Sequence, residues 1–196
     1  FGISLGMPVP ILIRFCEDRA WAKERVVKAL RGEEIWCQLF SEPAGGSDLA
    51  GLRTRAEPDG NGWKLNGQKL WTSWAQYSDY GVIVARTDPE QPKHKGLTYY
   101  WVDMHAKGVE VRPIKLAGGD DHVNEVFFDD VRLEDSQRMS PVGGGFGVAM
   151  ATLMIERYVA TDSGGFGPNL DLFIDLVRDI EVNERPALKD GRIRSS

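Results

Sequence analysis

Between Trp36 and about Arg138 the chain consists of short apolar runs, each stopped within a few residues by Gly, Pro, Asn or Asp. This punctuation reads as strands joined by turns. Trp36–Ser41 ends in Glu42-Pro43. Asp59-Gly60-Asn61-Gly62 and Asn66-Gly67 flank Trp63-Lys64-Leu65 and read as hairpin signals, since Asn and Gly tolerate the positive φ of tight turns. Leu70–Ser73, Tyr80–Thr87, Leu97–Asp103, Val109–Ile114 and Val123–Leu133 follow as further strands. Strands at this spacing predict a small barrel or sandwich of roughly 100 residues.

Helical spacing frames this body on both sides. From Glu17 to Arg31, Ala22, Val26, Ala29 and Leu30 form one stripe and Gly32 is a stop signal. Phe1–Pro10, with Gly2, Gly6, Pro8 and Pro10, reads as a broken lead-in or the tail of an earlier helix. Phe146–Val159 is apolar enough for a buried helix. Ser163–Pro168 interrupts it, and Pro168 can open a second helix over Asn169–Ile180, striped by Leu170, Phe173, Ile174 and Val177.

Composition narrows the function classes. The 196 residues carry 24 Lys+Arg and 29 Asp+Glu, a net charge of −5, which offers no electrostatic footprint for nucleic acid or an anionic membrane. Asp120–Asp135 alone holds seven carboxylates against Arg132, and would repel a polyanion. Cys16 and Cys37 form no disulfide framework, and His94, His105 and His122 stand singly without metal-ligand spacing. No apolar run approaches the ~18–20 residues of a membrane span, and the apolar start lacks the basic n-region of a signal peptide. These features predict a cytoplasmic protein. The chain opens on Phe1 rather than Met, which reads as a piece of a longer protein.

Two segments carry candidate chemistry. In Phe40-Ser41-Glu42-Pro43-Ala44-Gly45-Gly46-Ser47-Asp48 a strand runs into a turn whose glycines admit a close ligand and expose N–H groups, with Ser41 and Ser47 adding hydroxyls. It suits a phosphate or a polar ring edge, and equally a plain structural turn; it is neither G-x-G-x-x-G nor a P-loop. In Asn66-Gly67-Gln68-Lys69-Leu70-Trp71-Thr72-Ser73, strand alternation puts Trp71 and Ser73 on one face, fit to stack on a planar cofactor and bond its edge, or simply to be a core Trp beside a solvated Ser.

Taken in order, Gln38–Asp48 and Leu65–Ser73 resemble the acyl-CoA dehydrogenase family. Phe127-Phe128-Asp129-Asp130-Val131-Arg132 resembles its third signature, and Gly143–Arg157, with Gly145-Phe146-Gly147 and Glu156-Arg157, resembles the entry to its C-terminal helical domain. The resemblance implies an α+β fold: a middle antiparallel β-barrel or sandwich between an N-terminal helical domain and a C-terminal helical bundle. Residues 1–35 would end the first, 36–140 form the second and 141–196 begin the third, about half a family member.

The implied activity is FAD-dependent α,β-dehydrogenation of an acyl-CoA thioester to the trans-2-enoyl-CoA, within fatty acid β-oxidation and lipid metabolism. In the family a base removes the α-proton as flavin N5 accepts the β-hydride, and electrons pass to electron-transferring flavoprotein. Members assemble as homodimers, homotetramers or heteromers. By position in the motifs, Gln38, Phe40 and Ser41 line the isoalloxazine ring, and Gly46 and Ser47 contact the pyrophosphate. Ser47 also borders the path of the CoA chain. Trp71 packs on the flavin and Ser73 bonds N5. Glu156 stands where a minority of members carry the catalytic base, the majority holding it beyond Ser196, and Arg157 supports the carboxylate.

Departures are visible. The usual Gly-Ala-Gly is Ala44-Gly45-Gly46, Trp74 replaces a small or polar residue, and Ala117–Glu125 replaces an Arg-bearing loop in the manner of an actinobacterial-like branch that includes enzymes for steroid side chains. The family's adenine-binding segment is absent, so the fragment alone is expected to be inactive. Other outcomes of the same resemblance are a flavin oxidase or monooxygenase of this fold, and a non-catalytic subunit or remnant that binds a partner.

Overall fold

The computed structural model describes residues 5–162, 181–182 and 185–186, with side chains to residue 157. It falls into two compact units, Phe1–Glu156 and Arg157–Ser196. In the second, β8 (Glu181–Val182) and β9 (Arg185–Pro186) form a two-strand ladder. The break expected at Ser163–Pro168 and the helix over Asn169–Ile180 lie outside the described residues.

In the first unit, α1 (Pro8–Phe15) and α2 (Arg19–Arg31) precede the sheet. The expected lead-in is thus partly helix. Pro8 sits at the first helical position, where its missing N–H has no partner to lose, so it starts α1 rather than breaking it. In α2 the Asp18 side chain accepts the Trp21 N–H at 2.9 Å, and Gly32 closes the helix at φ 72°.

Seven strands follow: β1 (Trp36–Leu39), β2 (Arg55–Asp59), β3 (Gly62–Ser73), β4 (Tyr80–Arg86), β5 (Leu97–Asp103), β6 (Val109–Ile114) and β7 (Val123–Glu134). They make one curled sheet in the order β1-β4-β2-β3-β7-β6, with β5 on the second edge of β4. It is a half-barrel and mixed rather than wholly antiparallel, since β1 runs parallel to β4. A helix, α3 (Gly145–Asp162), follows the sheet.

The apolar runs separate into two cores by residue parity. Trp36, Val82, Val84, Leu97 and Tyr99 face the helical side, with Ile11, Leu12, Ala22, Val148 and Ala149. Cys37, Leu39, Ile83, Ala85, Tyr100 and Val102 face the inner side of the curl, with Leu65, Val126 and Leu133. Val82-Ile83-Val84-Ala85 is apolar without interruption because β4 is buried on both faces. On the helical side Trp21 stacks on Trp101 at 4.2 Å and meets Trp36 and Tyr80 edge-on, which accounts for three of the six tryptophans. Gly145 lets α3 approach closely: a Cβ there would stand 2.5 Å from the Thr98 carbonyl carbon.

Two hairpin-level expectations are corrected. Asp59–Gly62 does turn β2 into β3, but Asn66-Gly67 turns nothing, and Leu70–Ser73 is no separate strand, since β3 runs unbroken from Gly62 to Ser73. Asn66 instead braces a bulge in β7: its amide donates to Asp130 Oδ1 at 3.0 Å and accepts the Asp130 N–H at 2.9 Å, with Asp130 at φ 50°. Gly67 is needed for space, because a Cβ would meet Thr54 Cα at 2.7 Å.

Candidate active site

The turn after β1 is built on a buried ion pair. Glu42 and Gly45 exchange both backbone hydrogen bonds, at 3.2 and 3.0 Å, which folds Pro43-Ala44 into a tight loop. The Glu42 carboxylate points inward and accepts N–H groups from Arg53 and Thr54 at 2.6 and 3.0 Å. The fully buried Lys69 from β3 reaches it at 2.8 Å. The other two ammonium donors of Lys69 go to the Phe40 and Val84 carbonyls at 3.2 and 3.1 Å. Three donors thus meet three acceptors, the arrangement a charged ammonium needs when water is excluded. Burial alone would raise the Glu42 pKa, but Lys69 and the N–H bonds hold it below the usual carboxylate range, so Glu42 is ionised.

Above this foundation the loop is open. Ala44, Gly45, Gly46 and Ser47 are exposed. A Cβ on Gly45 would touch nothing within 4 Å, and one on Gly46 would find only the Ser41 hydroxyl at 3.7 Å. Asp48 fixes the far end through Lys93 Nζ at 2.9 Å. Phe40 is buried against Tyr99, Ser41 is half-buried, and the Ser41 carbonyl accepts the Leu70 N–H at 2.8 Å, which sets β3 beside the turn.

Trp71 is placed by a fault in register, not by alternation. Lys69 pairs with Val126 but Thr72 with Asn124, so β3 carries one extra residue there. Trp71 sits in that bulge at φ 61° and is 54% exposed, whereas Thr72 is buried and Ser73 half-buried. The period-2 argument joining Trp71 to Ser73 therefore fails at the bulge. Trp74 is also left-handed, at φ 62°, with its ring against His122 and Tyr77. Its N–H bonds the His122 carbonyl at 2.7 Å. Asn124 ties the same corner together, donating to the Thr72 carbonyl at 2.9 Å.

From the helical side comes Glu156. Gln38 shares its parity on β1 with Trp36 and Phe40, both in the helical-side core, and its Nε2 donates to Glu156 Oε2 at 3.1 Å. Gln38 Oε1 is buried without a hydrogen-bond partner among the described residues. Arg157, the next residue of α3, is exposed. The structure thus groups Phe40, Ser41, Gly46 and Ser47 along one strand and its turn, sets the end of β3 beside them, and joins Gln38 to Glu156. Sequence reasoning passed over Lys69, Glu42, Asn66 and Asn124. A lysine inside a strand pattern, two residues before the singled-out Trp71, was the signal for the first.

The acyl-CoA dehydrogenase middle-domain profile matches residues 37–131. Acyl-CoA dehydrogenase FadE34 of Mycobacterium tuberculosis is 44% identical over 171 residues, 87% of this chain and 24% of that protein. The chain belongs to the acyl-CoA dehydrogenase family. Among solved structures, the Tcur3481-Tcur3483 steroid ACAD superposes with a TM-score of 0.79 at 29% identity, over 100% of this chain and 50% of that one. A glutaryl-CoA dehydrogenase from Mycobacterium smegmatis in complex with FADH2 gives 0.76 at 25% identity, over 99% and 49%. The chain spans between a quarter and a half of the length of these relatives.

The residues present fit a flavin. The Gly45–Ser47 backbone is exposed over open space, as a pyrophosphate contact requires, and Trp71 offers an uncovered ring at the end of the strand next to it. Among the described residues no helix is long and apolar enough to cross a membrane.

Proposed function

We propose that the full-length protein is an FAD-dependent acyl-CoA dehydrogenase that converts an acyl-CoA thioester to its trans-2-enoyl-CoA and passes electrons to electron-transferring flavoprotein. The observation that carries this reading is the carboxylate of Glu156 against Gln38, on the strand that leads directly into the open Gly45–Ser47 turn. The similarity to a steroid ACAD favours a bulky acyl group, and the same neighbour supports a multi-subunit assembly.

FAD, when bound, supplies a two-electron acceptor, chemistry that no side chain of this protein offers. The chain's own residues bind and orient. Gly46 and Ser47 present backbone N–H groups and a hydroxyl to the pyrophosphate, and Ser47 borders the CoA chain. Phe40, Ser41 and Gln38 line the ring from β1. Trp71 would pack on it, and the Ser73 hydroxyl would offer it a hydrogen bond. Such fixed dipoles stabilise developing negative charge without reorganising. Glu156 takes the α-proton onto a carboxylate oxygen, and Arg157 keeps the local charge balanced.

The test uses the natural full-length protein. A visible flavin band should appear on purification and bleach when acyl-CoA is added without oxygen; no band, or one that no acyl-CoA bleaches, overturns the reading. Glu156→Gln should abolish bleaching with flavin still bound.

A further inference from the structure

We propose that Gln38 is a positioning residue for Glu156, its side-chain amide holding the carboxylate where it receives the substrate α-proton. This rests on the reading of Glu156 as the base. The two residues are 118 positions apart and meet only because α3 lies against the helical side of the sheet, where Nε2 stands 3.1 Å from Oε2.

Packing does not explain an amide at this place. Its neighbours in parity on β1 are Trp36 and Phe40, and the adjoining β4 residues of the same core are Val82 and Val84. Gln38 Oε1 is buried there and accepts from no donor among the described residues, so the side chain keeps an unsatisfied polar atom that Met, of equal length, would remove. What the amide gains is the Glu156 bond. Its orientation follows from charge, because turning it over would set Oε1 against a carboxylate oxygen. What the bond supplies is direction: an amide N–H on one carboxylate oxygen holds the group in one orientation.

The step balances on named atoms. The substrate Cα–H bond breaks, an O–H bond forms on Glu156, and the electron pair passes to the thioester oxygen as an enolate. Gln38 neither gains nor loses a proton. It restricts the carboxylate to one rotamer, and small losses of alignment slow proton transfer steeply.

The experiment compares Gln38→Met and Gln38→Glu with Glu156→Gln in the flavin-loaded full-length protein, using an acyl-CoA and a 3-thia-acyl-CoA. Sulfur in place of the β-carbon lets the analogue lose its α-proton with no hydride to follow, so its long-wavelength absorption reports deprotonation without turnover. Gln38→Met should slow flavin bleaching roughly tenfold or more, towards the ~10²-fold that a 1 Å misplacement of a catalytic group can cost. It should also enlarge the α-deuterium isotope effect and lower the deprotonated fraction of the analogue, with KM unchanged and the melting temperature not lowered. Gln38→Glu should lose more, because it sets two carboxylates together. Gln38→Asn, which keeps the amide but is one methylene too short, serves as a second probe should Met not fold. Wild-type bleaching and deprotonation in Gln38→Met or Gln38→Asn overturn the proposal. Deprotonation retained in Glu156→Gln overturns instead the base assignment beneath it.

Discussion

Trp63 and Trp71 lie on one strand and are held by opposite means. Trp63 faces the inner core at 9% exposure, pairs in register with Leu133, and donates its indole N–H to Asp135 at 2.9 Å. Trp71 occupies a bulge, in a left-handed conformation, with more than half its surface exposed. Leaving about half of a tryptophan's surface in water forgoes on the order of 2 kcal/mol of burial. A left-handed backbone adds roughly 1–2 kcal/mol against it. Trp63 is held by the fold, while Trp71 is the ring that the proposed flavin would cover.

The largest test strikes the buried pair beneath the turn, near the Trp71 end of the strand. Lys69→Met leaves Glu42 buried and ionised without its partner and should cost about 3–5 kcal/mol in urea denaturation. Glu42→Gln added to it should restore much of that loss; a single variant near wild-type stability would show that the pair does not anchor the turn.

Next comes the direct comparison. Trp63→Phe removes buried volume and the bond to Asp135, and should cost about 1–3 kcal/mol. Trp71→Phe should change stability by less than about 0.5 kcal/mol, as an exposed site does. In the full-length protein it should weaken flavin retention about tenfold, measured by the fraction of flavin released on dilution. Equal losses of stability at the two positions would end the distinction.

The smallest effect concerns acid. Hydrogen bonds from Arg138 and from Trp63 hold the Asp135 carboxyl down at about 2. A depressed folded pKa gives stability that is present above the ordinary aspartate range and fades as pH falls from about 4 towards 2. Asp135 is half exposed, so solvent screening keeps the contribution small. Asp135→Asn should lower the melting temperature slightly at neutral pH and leave it nearly unchanged near pH 2, so that the acid limb between them flattens.

Much of the fold was legible in local pattern. The bounds of β5 and β6, the Gly32 stop and the start of α3 near Gly145 follow from apolar runs and punctuation, because turn residues act through φ preferences that need no distant partner. Asn66-Gly67 misled for the same reason. Its composition is that of a turn, but β7 runs alongside, and Asn66 spends its amide on the Asp130 bulge. The α1 prolines misled because position within the first turn decides whether proline breaks or begins a helix. At the site, Gly46, Ser47 and Trp71 stand out by resemblance to motifs, whereas the pairing of Lys69 with Glu42 does not: the lysine in a strand pattern is a local signal, but nothing local names a partner 27 residues away.

The sequence by itself determined a helix-framed body of strands, the exposed glycine turn and the family of the chain, because propensity, punctuation and motif are local properties. Only the tertiary structure decided that the sheet is mixed and curled, that Trp71 sits in a bulge, that Lys69 is satisfied inside the protein, and that Gln38 meets Glu156. Each of these depends on register or docking between segments far apart in the chain. Such choices are fixed by where buried charges find partners and apolar faces find cover, and those are properties of the assembled molecule.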